Sequence, residues 1–446
     1  MFPDRPACDA GPEAIEELVT LMESRRRTRQ NLSVPAGFTY LGQFIDHDIT
    51  LDLTPVLDRE RDPRALVNFR TPRLDLDSVY GLGPAAQPFL YDWKESEPPG
   101  TRLLVGHNAV DATDDLPRNQ QGRALIGDAR NDENVIVAQL HLLFIRFHNA
   151  VVDHLSREGT PDAELFETAR RIVRWHYQWI AVHEFLSKVV GTEVARAVLD
   201  EPAGEGTAPA IRREFFTWQG EPFIPVEFSG AAYRFGHSMV RNDYGIKRLP
   251  ASGPGGPAIP LFPDLAGSTW LHKEHVIDWE RFFALDGRAP QAGAAIDTTL
   301  AVPLFHLPGG DPKLPRRNLL RGRKLGLPSG QEVACAMREP ALAEEELRVD
   351  ETVERRAREV LLRSTPLWYY ILCEAETKGG GEGRGPAGKH LGPVGGRIVA
   401  EVLVGLLEGD PSSYLGREPS WRPGELGTGR DFTMAELVTF TQAARG

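Results

Sequence analysis

An imidazole flanked by two carboxylates lies in residues 42–50, which read GQFIDHDIT. On a helix, Gln43 and His47 are one turn apart and share a face. Asp46 and Asp48 are each rotated by about 100° from His47, in opposite directions. The helix can therefore present an imidazole, an amide and one carboxylate to a pocket, and the second carboxylate to a separate site. A solvated surface turn is the alternative, which the apolar residues of this segment disfavour.

An arginine near the start of a helix marks a second segment, residues 127–134, which read GDARNDEN. Asp128 or Asn131 is suited to cap the helix that follows, and the acid Glu133 suits its positive end. Capping does not account for Arg130, because the helix dipole disfavours a cation at this end. Arg130 and Glu133 are three residues apart, so we predict that they share a face toward a pocket.

A third segment, residues 233–239 (YRFGHSM), contains one histidine beside a glycine. An isolated histidine is more often part of a core or a surface than a metal ligand. Gly236 favours ligation here, because a residue without a side chain lets a flat cofactor approach the backbone next to His237.

Alternating oxygen donors in residues 71–78 (TPRLDLDS) suit a calcium ion. Calcium prefers oxygen ligands, which the Thr71 hydroxyl, the Asp75 and Asp77 carboxylates and nearby backbone carbonyls can provide. The spacing is not that of an EF-hand, and a solvated turn is the more common structure for such a run.

The elements that must position these segments are mainly helices. Apolar residues at helical spacing predict helices over residues 133–154, 162–190, 351–376 and 395–407, and a capping box at Thr433 and Glu436 predicts another. The 44 glycines and 35 prolines predict many turns and long loops. The predicted fold class is mainly α, a single large helical domain with few short strands. Residues 35–446 form this domain and residues 1–34 an extension packed on it.

Charge and composition exclude several partners. The net charge of −12 disfavours nucleic acid and anionic membrane surfaces as main partners. No transmembrane segment is predicted, since no uninterrupted apolar run approaches about 18 residues. The first 21 residues show no secretory signal, and the three cysteines fit reduced thiols better than a disulfide framework. We therefore expect a cytoplasmic protein by default, with export by an unrecognised route as the alternative.

Taken together, five segments in this order resemble the animal-type haem peroxidases of the peroxidase–cyclooxygenase superfamily, which include myeloperoxidase and lactoperoxidase. The distal-histidine motif is matched by residues 42–49, the calcium loop by 71–81, the distal-arginine helix by 129–149, the proximal-histidine segment by 233–237 and an arginine-rich motif by 318–328 (NLLRGRKLGLP). The resemblance runs from about residue 35 to 415. Residues 392–401 (GPVGGRIVAE) are most similar to bacterial members.

The resemblance implies a helical domain around buried haem b, with hydrogen peroxide and a small organic or (pseudo)halide reductant as substrates. The implied catalytic residues are His47 as acid and base, Arg130 as the distal arginine and Gln43 as a distal amide. The implied chemistry is transfer of a peroxide proton by His47, with Arg130 stabilising the charge that develops as the O–O bond breaks.

The resemblance also implies contacts to the cofactors. The implied haem contacts are His237 as the iron ligand, Asn318 as acceptor of its Nδ1 proton, Asp46 and Glu133 as partners of ester bonds to haem methyls, and Arg321 and Arg234 near the propionates or the proximal pocket. The implied calcium ligands are Asp48, Thr71, Arg73 through its carbonyl oxygen, Asp75 and Asp77.

Departures from the family pattern bear on the reaction. Asn134 stands where myeloperoxidase has a methionine that forms a sulfonium link to haem, so we predict no such link and expect weak chloride oxidation. A fatty-acid dioxygenase with Tyr233 as radical site is one alternative function, disfavoured because Arg234 occupies the tyrosine position of those enzymes. A non-enzymatic peroxidase-like binding protein is another, disfavoured by the intact set of matching residues.

Overall fold

The protein is described here by a computed structural model, which covers residues 1–25, 29–50, 71–201, 206–247, 257–285, 287–308, 310–380, 387–426, 429 and 431–444. Helices dominate this part of the chain and the strands are short, as the sequence predicts. The buried apolar side chains form a core cluster that extends from the N-terminal helix to the last helix.

The α-helices of the described residues are numbered in chain order. They are α1 (Pro12–Ser24), α2 (Gly37–Ile49), α3 (Asp77–Tyr80), α4 (Val135–Arg157), α5 (Asp162–Trp179), α6 (Leu186–Val190), α7 (Thr192–Val198), α8 (Val226–Gly230), α9 (Gly236–Met239), α10 (Leu314–Lys324), α11 (Gly330–Met337), α12 (Arg355–Arg363), α13 (Leu367–Lys378), α14 (Pro393–Gly409), α15 (Tyr414–Arg417) and α16 (Met434–Ala443).

Short 3-10 helices and strands connect the α-helices. The 3-10 helices are Pro88–Leu90, Ala129–Asp132, Ala232–Phe235, Lys273–His275, Trp279–Arg281, Val302–Phe305 and Glu344–Leu347. The strands are β1 (Gln30–Pro35), β2 (Gly106–His107), β3 (Asp114–Asp115), β4 (Leu199–Asp200), β5 (Ala210–Ile211), β6 (Asp243–Tyr244), β7 (Ile259–Pro260) and β8 (Ala292–Ala294). They form antiparallel pairs β1–β8, β2–β3, β4–β5 and β6–β7.

The central helix α4 is apolar nearly all round because it lies in the core. Among the helices described, it is the one whose length and composition would allow it to cross a membrane, with a mean hydropathy of 1.6. However, 89% of that apolar stretch is buried inside the protein, which accounts for its composition. It packs against α2, α5 and α16, and so holds the site-bearing helix α2 from one side.

The cap of α4 differs from the predicted one. The Asn134 side-chain oxygen accepts hydrogen bonds from the backbone N–H groups of Ile136 at 3.0 Å and Val137 at 2.9 Å. Asp128, one of the two predicted caps, instead caps the preceding 3-10 helix by accepting from the backbone N–H of Arg130 at 2.9 Å. The extra 3-10 turn separates the arginine segment from α4.

The predicted helix over residues 351–376 is wrong, because the structure has two helices there. Helix α12 ends at Arg363 and α13 begins at Leu367. Pro366 explains the break, since proline has no N–H to donate and disfavours helical backbone in the residue before it.

The predicted helix over residues 162–190 contains a π-helical turn, Ile180–Phe185, between α5 and α6. Such a turn carries an extra residue and changes which side chains face a neighbour. Phe185 of this turn contacts α2 at Gly42, where a Cβ would lie 3.1 Å from the phenyl ring. The π-helical turn thus places the Phe185 ring against the site-bearing helix α2.

The N-terminal residues are integrated in the core. Helix α1 packs on α10 and α12, and β1 pairs with β8. Ile15, Leu18 and Met22 of α1 are buried. Residues 1–25 and 29–34 therefore pack against the rest of the described chain.

Candidate active site

A cavity of about 300 Å³ brings together segments that are far apart in the sequence. Helix α2 contributes Gln43, Asp46 and His47, and residues 233–237 form another part of its wall. Further lining residues are Phe38, Thr39, Tyr40, Gly42, Glu133, Asn134, Phe185, Met239, Val240, Leu261, Phe262, Leu304, Leu307 and Leu314. A few polar groups in an apolar enclosure are typical of a small-molecule or cofactor site.

Helix α2 directs its two carboxylates to different places, as helical geometry predicts. Asp46 lines the cavity together with His47. Asp48 is fully buried and accepts hydrogen bonds from the backbone N–H of Leu76 at 3.1 Å and the Ser78 hydroxyl at 3.4 Å. The helix therefore separates a cavity face from a face toward residues 71–78.

The His47 imidazole lies in the cavity wall, with only 5% of the residue exposed. Its Nδ1 lies 2.8 Å from the Asn131 side-chain oxygen, and the amide nitrogen of Asn131 lies 3.0 Å from Nδ1 of His141. Burial, and then the positive charge of Arg130, lower the pKa of His47 from its ordinary value. The neutral imidazole, which can accept a proton, is therefore favoured near neutral pH.

Arg130 lies beside His47 without being among the residues that line the cavity. Its guanidinium pairs with Asp128 at 2.7 Å and donates to the backbone carbonyl of His47 at 3.0 Å and to that of Thr50. Burial pushes the pKa of Asp128 upward, but the bonds from Arg130 outweigh it and hold that pKa at about 2. Arg130 thus fixes the end of α2 and places a positive charge near the imidazole.

Glu133 and Asn134 complete the wall on the same side as His47. Partial loss of hydration raises the pKa of Glu133. The Asn134 side-chain nitrogen donates to the side-chain amide oxygen of Gln43 at 3.4 Å. Since the Asn134 oxygen is occupied by the cap of α4, the amide orientation is fixed and its donor side faces Gln43.

His237 contributes a second imidazole to the cavity. Enclosure by the protein, followed by the charge of Arg234, lowers its pKa to about 3, so the ring is neutral at physiological pH. Its Nδ1 lies 2.9 Å from the Asn318 side-chain nitrogen. A Cβ added at Gly236 would meet no atom within 4 Å, which leaves the backbone open to the cavity beside this ring.

The two remaining arginines predicted near the site differ in position. Arg234 lines the cavity, and its guanidinium donates to the backbone carbonyl of Ser229 at 2.8 Å and to the Asn318 oxygen at 3.4 Å. Arg321 lies on α10, one turn after Asn318, and is not among the residues that line the cavity in the described chain. A contact between Arg321 and a haem propionate stays a prediction.

Tyr233 is buried and lines the same cavity. Its hydroxyl has no hydrogen-bond partner within the described residues. Burial, and then the charge of Asp46, raise its pKa well above the ordinary value, so the phenol stays protonated. Its ring stacks on Phe228 with a centroid separation of 4.7 Å.

Three carboxylates form an acidic cluster on the other side of α2. Asp48, Asp75 and Asp77 each offer a carboxylate oxygen, and these oxygens all lie within 4.8 Å of one another. Burial, and then the charge of Asp77, raise the pKa of Asp75 to about 6. The cluster is thus a region of concentrated negative charge, which a cation would stabilise.

The other residues predicted as calcium ligands lie at the edge of this acidic cluster. The Thr71 hydroxyl is exposed and lies 3.4 Å from a carboxylate oxygen of Asp75. The Arg73 side chain points elsewhere, to Glu221 at 3.2 Å and Asp410 at 3.8 Å. Its carbonyl oxygen is the group that the family resemblance implies as a calcium ligand, and this stays a prediction.

Two backbone features bring the acidic cluster and the arginine segment together. Leu76 has a φ of 57°, a left-handed conformation that is uncommon for leucine and orients the acids on either side of it. Gly127 donates its N–H to the Ser78 carbonyl at 2.9 Å, and a Cβ there would lie 2.5 Å from the Asp77 carbonyl oxygen. Only glycine allows this close approach.

Sequence reasoning missed the contacts of Asn131 and His141. Asn131 was interpreted only as a helix cap, and nothing singled out His141 within an apolar helix. The spacing of ten residues between them gives no signal, because their meeting depends on the 3-10 turn before α4 and on the distance between α2 and α4.

Comparison with known sequences identifies relatives of this chain. Residues 52–355 match the sequence model of the family described as animal haem peroxidase. Chorion peroxidase of Drosophila melanogaster is 26% identical over 412 residues, which cover 87% of this chain and 48% of that protein. Human thyroid peroxidase is 27% identical over 242 residues, covering 49% of this chain and 23% of that protein. The chain spans less than half the length of these two relatives.

Comparison with solved structures shows the same fold. Peroxidase A from Dictyostelium discoideum superposes with a TM-score of 0.67 at 17% identity, covering 98% of this chain and 90% of that one. A fatty acid alpha-dioxygenase of Arabidopsis thaliana gives a TM-score of 0.64 at 17% identity, covering 99% and 75%. At this identity the likeness concerns the fold alone. With the match of the family model to more than half of its residues, the chain belongs to the animal haem peroxidase family.

Proposed function

We propose that the protein is a haem-dependent peroxidase that reduces hydrogen peroxide and oxidises small organic or (pseudo)halide donors. The observation that carries this proposal is that His47 and His237 line the same cavity. Each ring has its Nδ1 held by an asparagine side chain, Asn131 for His47 and Asn318 for His237. Membership of a haem peroxidase family supports the same conclusion.

The residues around His237 fit a haem. A pKa of about 3 keeps its imidazole neutral, as an iron ligand must be. The open space at Gly236 allows a flat macrocycle to approach. In the structure the Asn318 nitrogen faces Nδ1 and its oxygen accepts from Arg234, so the predicted role of Asn318 as acceptor of an Nδ1 proton is not seen in this orientation. Iron binding through Nε2 would place the proton on Nδ1 and would require the opposite orientation of this amide. Arg234 would then neutralise a nearby propionate.

The residues around His47 fit proton transfer. A neutral His47 would take a proton from hydrogen peroxide and return it to the oxygen that departs as water. Arg130, as the proposed distal arginine, would keep the imidazole neutral and stabilise developing negative charge. Gln43 would bind a water or anion beside it. Haem, when bound, would store the oxidising equivalents that hydrogen peroxide supplies, and the donors would then consume them.

A spectroscopic experiment tests the proposed function. We expect the protein, loaded with haem, to show a Soret band that changes on adding hydrogen peroxide and returns when a phenol or bromide is oxidised. Absence of a Soret band would instead favour a binding protein without enzymatic activity.

Fatty-acid oxygenation is the second candidate, because the buried Tyr233 hydroxyl faces no partner in the described chain. Oxygen uptake with linoleate that is lost in Tyr233→Phe would favour it.

The same sample tests covalent attachment of haem. We propose that Asp46 and Glu133 form ester bonds to haem methyls during exposure to peroxide, because both carboxylates line the cavity. After that exposure, acid–acetone extraction should leave haem on the wild-type protein and release it from the Asp46→Asn/Glu133→Gln variant. Complete release from both proteins would contradict the ester bonds while leaving the peroxidase activity intact.

We propose that a calcium ion binds the acidic cluster of Asp48, Asp75 and Asp77, with Thr71 and the Arg73 carbonyl as further ligands. A bound ion would offset the burial and the repulsion from Asp77 that together raise the pKa of Asp75. It would stabilise the fold by about 2.7 kcal/mol at a free calcium concentration of a hundred times Kd.

Calcium should therefore raise the melting temperature by several degrees relative to protein in EDTA. The Asp75→Asn variant should lose most of this increase. Asp92→Asn provides a control, since Asp92 caps a turn outside the acidic cluster. Equal melting temperatures of the wild-type protein with calcium and with EDTA would contradict the calcium site.

A further inference from the structure

We infer that Asn131 and His141 are positioning residues that keep the His47 proton on Nδ1 and leave the Nε2 lone pair for the cavity. This inference rests on the proposed function, because it assigns the state in which His47 acts as a base. It extends that function to two fully buried residues that are not among the residues lining the cavity in the described chain.

The directions of two hydrogen bonds carry the inference. An amide oxygen only accepts and an amide nitrogen only donates. The Asn131 oxygen lies 2.8 Å from His47 Nδ1, so this nitrogen must carry the proton. The Asn131 nitrogen lies 3.0 Å from His141 Nδ1, so that nitrogen must be the acceptor. One asparagine thus fixes the tautomers of two histidines in opposite senses.

The reversed amide would give the opposite result. With oxygen and nitrogen exchanged, Asn131 would donate to His47 Nδ1 and force the proton onto Nε2, where the ring could no longer accept a proton from peroxide. In the structure the amide takes the first arrangement, with its oxygen toward His47 Nδ1 and its nitrogen toward His141 Nδ1.

Packing holds this chain of contacts on both sides. The His141 ring meets the edge of Phe44 at a centroid separation of 6.0 Å and an angle of 75°. Phe44 and His47 are three residues apart on α2, so the helix that carries the base also confines the second imidazole. Asn131 lies in the 3-10 helix Ala129–Asp132, where its backbone N–H donates to the Asp128 carbonyl at 3.0 Å.

The tautomer can be measured directly on the full-length protein. Long-range proton–nitrogen correlation spectra of protein labelled with 15N-histidine distinguish a protonated ring nitrogen from an unprotonated one. The His47 signals are assigned by their absence in His47→Gln. We expect Nδ1 protonated and Nε2 unprotonated in the neutral ring of His47, and the reverse in His141. A His47 ring with its proton on Nε2 overturns the inference, whatever the variants show.

Variants connect the tautomer with the reaction. In Asn131→Leu both contacts are lost, and we expect His47 to populate both tautomers and the peroxide rate constant to fall by about a hundredfold. In Asn131→Asp an oxygen still faces Nδ1, so the tautomer and most of the rate should return. Asn149→Leu is the matched control, since Asn149 lies on α4 and, among the described residues, its side chain bonds to the Leu103 backbone and not to His47 or His141. It should leave the rate unchanged.

The outcomes separate this inference from the proposed function. A wild-type protein that binds no haem, but shows His47 with its proton on Nδ1, contradicts the peroxidase and leaves the tautomer assignment standing. A haem-loaded protein in which Asn131→Leu reacts with peroxide at the wild-type rate contradicts the positioning role and leaves the peroxidase standing.

Discussion

The His237→Ala protein is expected to lose its haem. No other imidazole lines the cavity on that side in the described chain, so the iron would have no protein ligand there. Loss of a group that merely supports a metal ligand costs about 10–100-fold in affinity, so loss of the ligand itself should cost more. Haem content is measured from the Soret absorbance per protein after reconstitution and gel filtration.

Two comparisons make this result specific. The His107→Ala variant removes an exposed histidine that pairs with Asp114 far from the cavity, and should bind haem like the wild type. Added imidazole should restore the Soret band of His237→Ala, since a small ligand can occupy the vacated space. A full haem content with an unchanged spectrum in His237→Ala would rule out His237 as the iron ligand.

The His47→Leu protein is expected to bind haem normally and to react slowly with peroxide. Leucine fills the buried position without offering a proton acceptor, and general acid–base groups contribute about 10²- to 10⁴-fold to rate. The rate constant is measured by stopped-flow absorbance after mixing with hydrogen peroxide. Wild-type rates in His47→Leu would assign the proton transfer to another group.

The pH dependence of the wild-type rate constant is a second test of His47 as the base. Burial, followed by Arg130, lowers the pKa of His47 below the ordinary value of 6.5. The base is active when neutral, so activity is lost as the pH falls through this lowered pKa. As the pH is lowered past 6.5, the rate constant should therefore stay constant at first and fall only at a more acidic pH.

The sequence predicts the helical fold class and the different directions in which α2 presents its two carboxylates. Helical periodicity is sufficient for the opposed directions of Asp46 and Asp48, because both follow from the rotation per residue. The break before α13 also has a local cause in Pro366, although the apolar pattern of residues 351–376 favoured one continuous helix. These features depend on residues that are close together in the chain.

Features that depend on distant residues could not be predicted. Asn134 caps α4 because a 3-10 helix precedes it: Asp128 caps that 3-10 helix, and Asn131 lies within it. The bond from Asn131 to His47 joins residues 84 positions apart, and only the packing of α2 on α4 brings them within 2.8 Å. The guanidinium of Arg130 likewise turns to two backbone carbonyls of the α2 end, a partner that no local pattern indicates.

Consecutive residues of α2 serve both the cavity and the acidic cluster, and this has a thermodynamic consequence. His47 and Asp48 are adjacent on a hydrogen-bonded helix, so a backbone shift at one is transmitted to the other. If the proposed cofactor and the proposed ion each shift this backbone, their binding is coupled, and the coupling is reciprocal: the factor by which the ion would alter cofactor affinity equals the factor by which the cofactor would alter ion affinity.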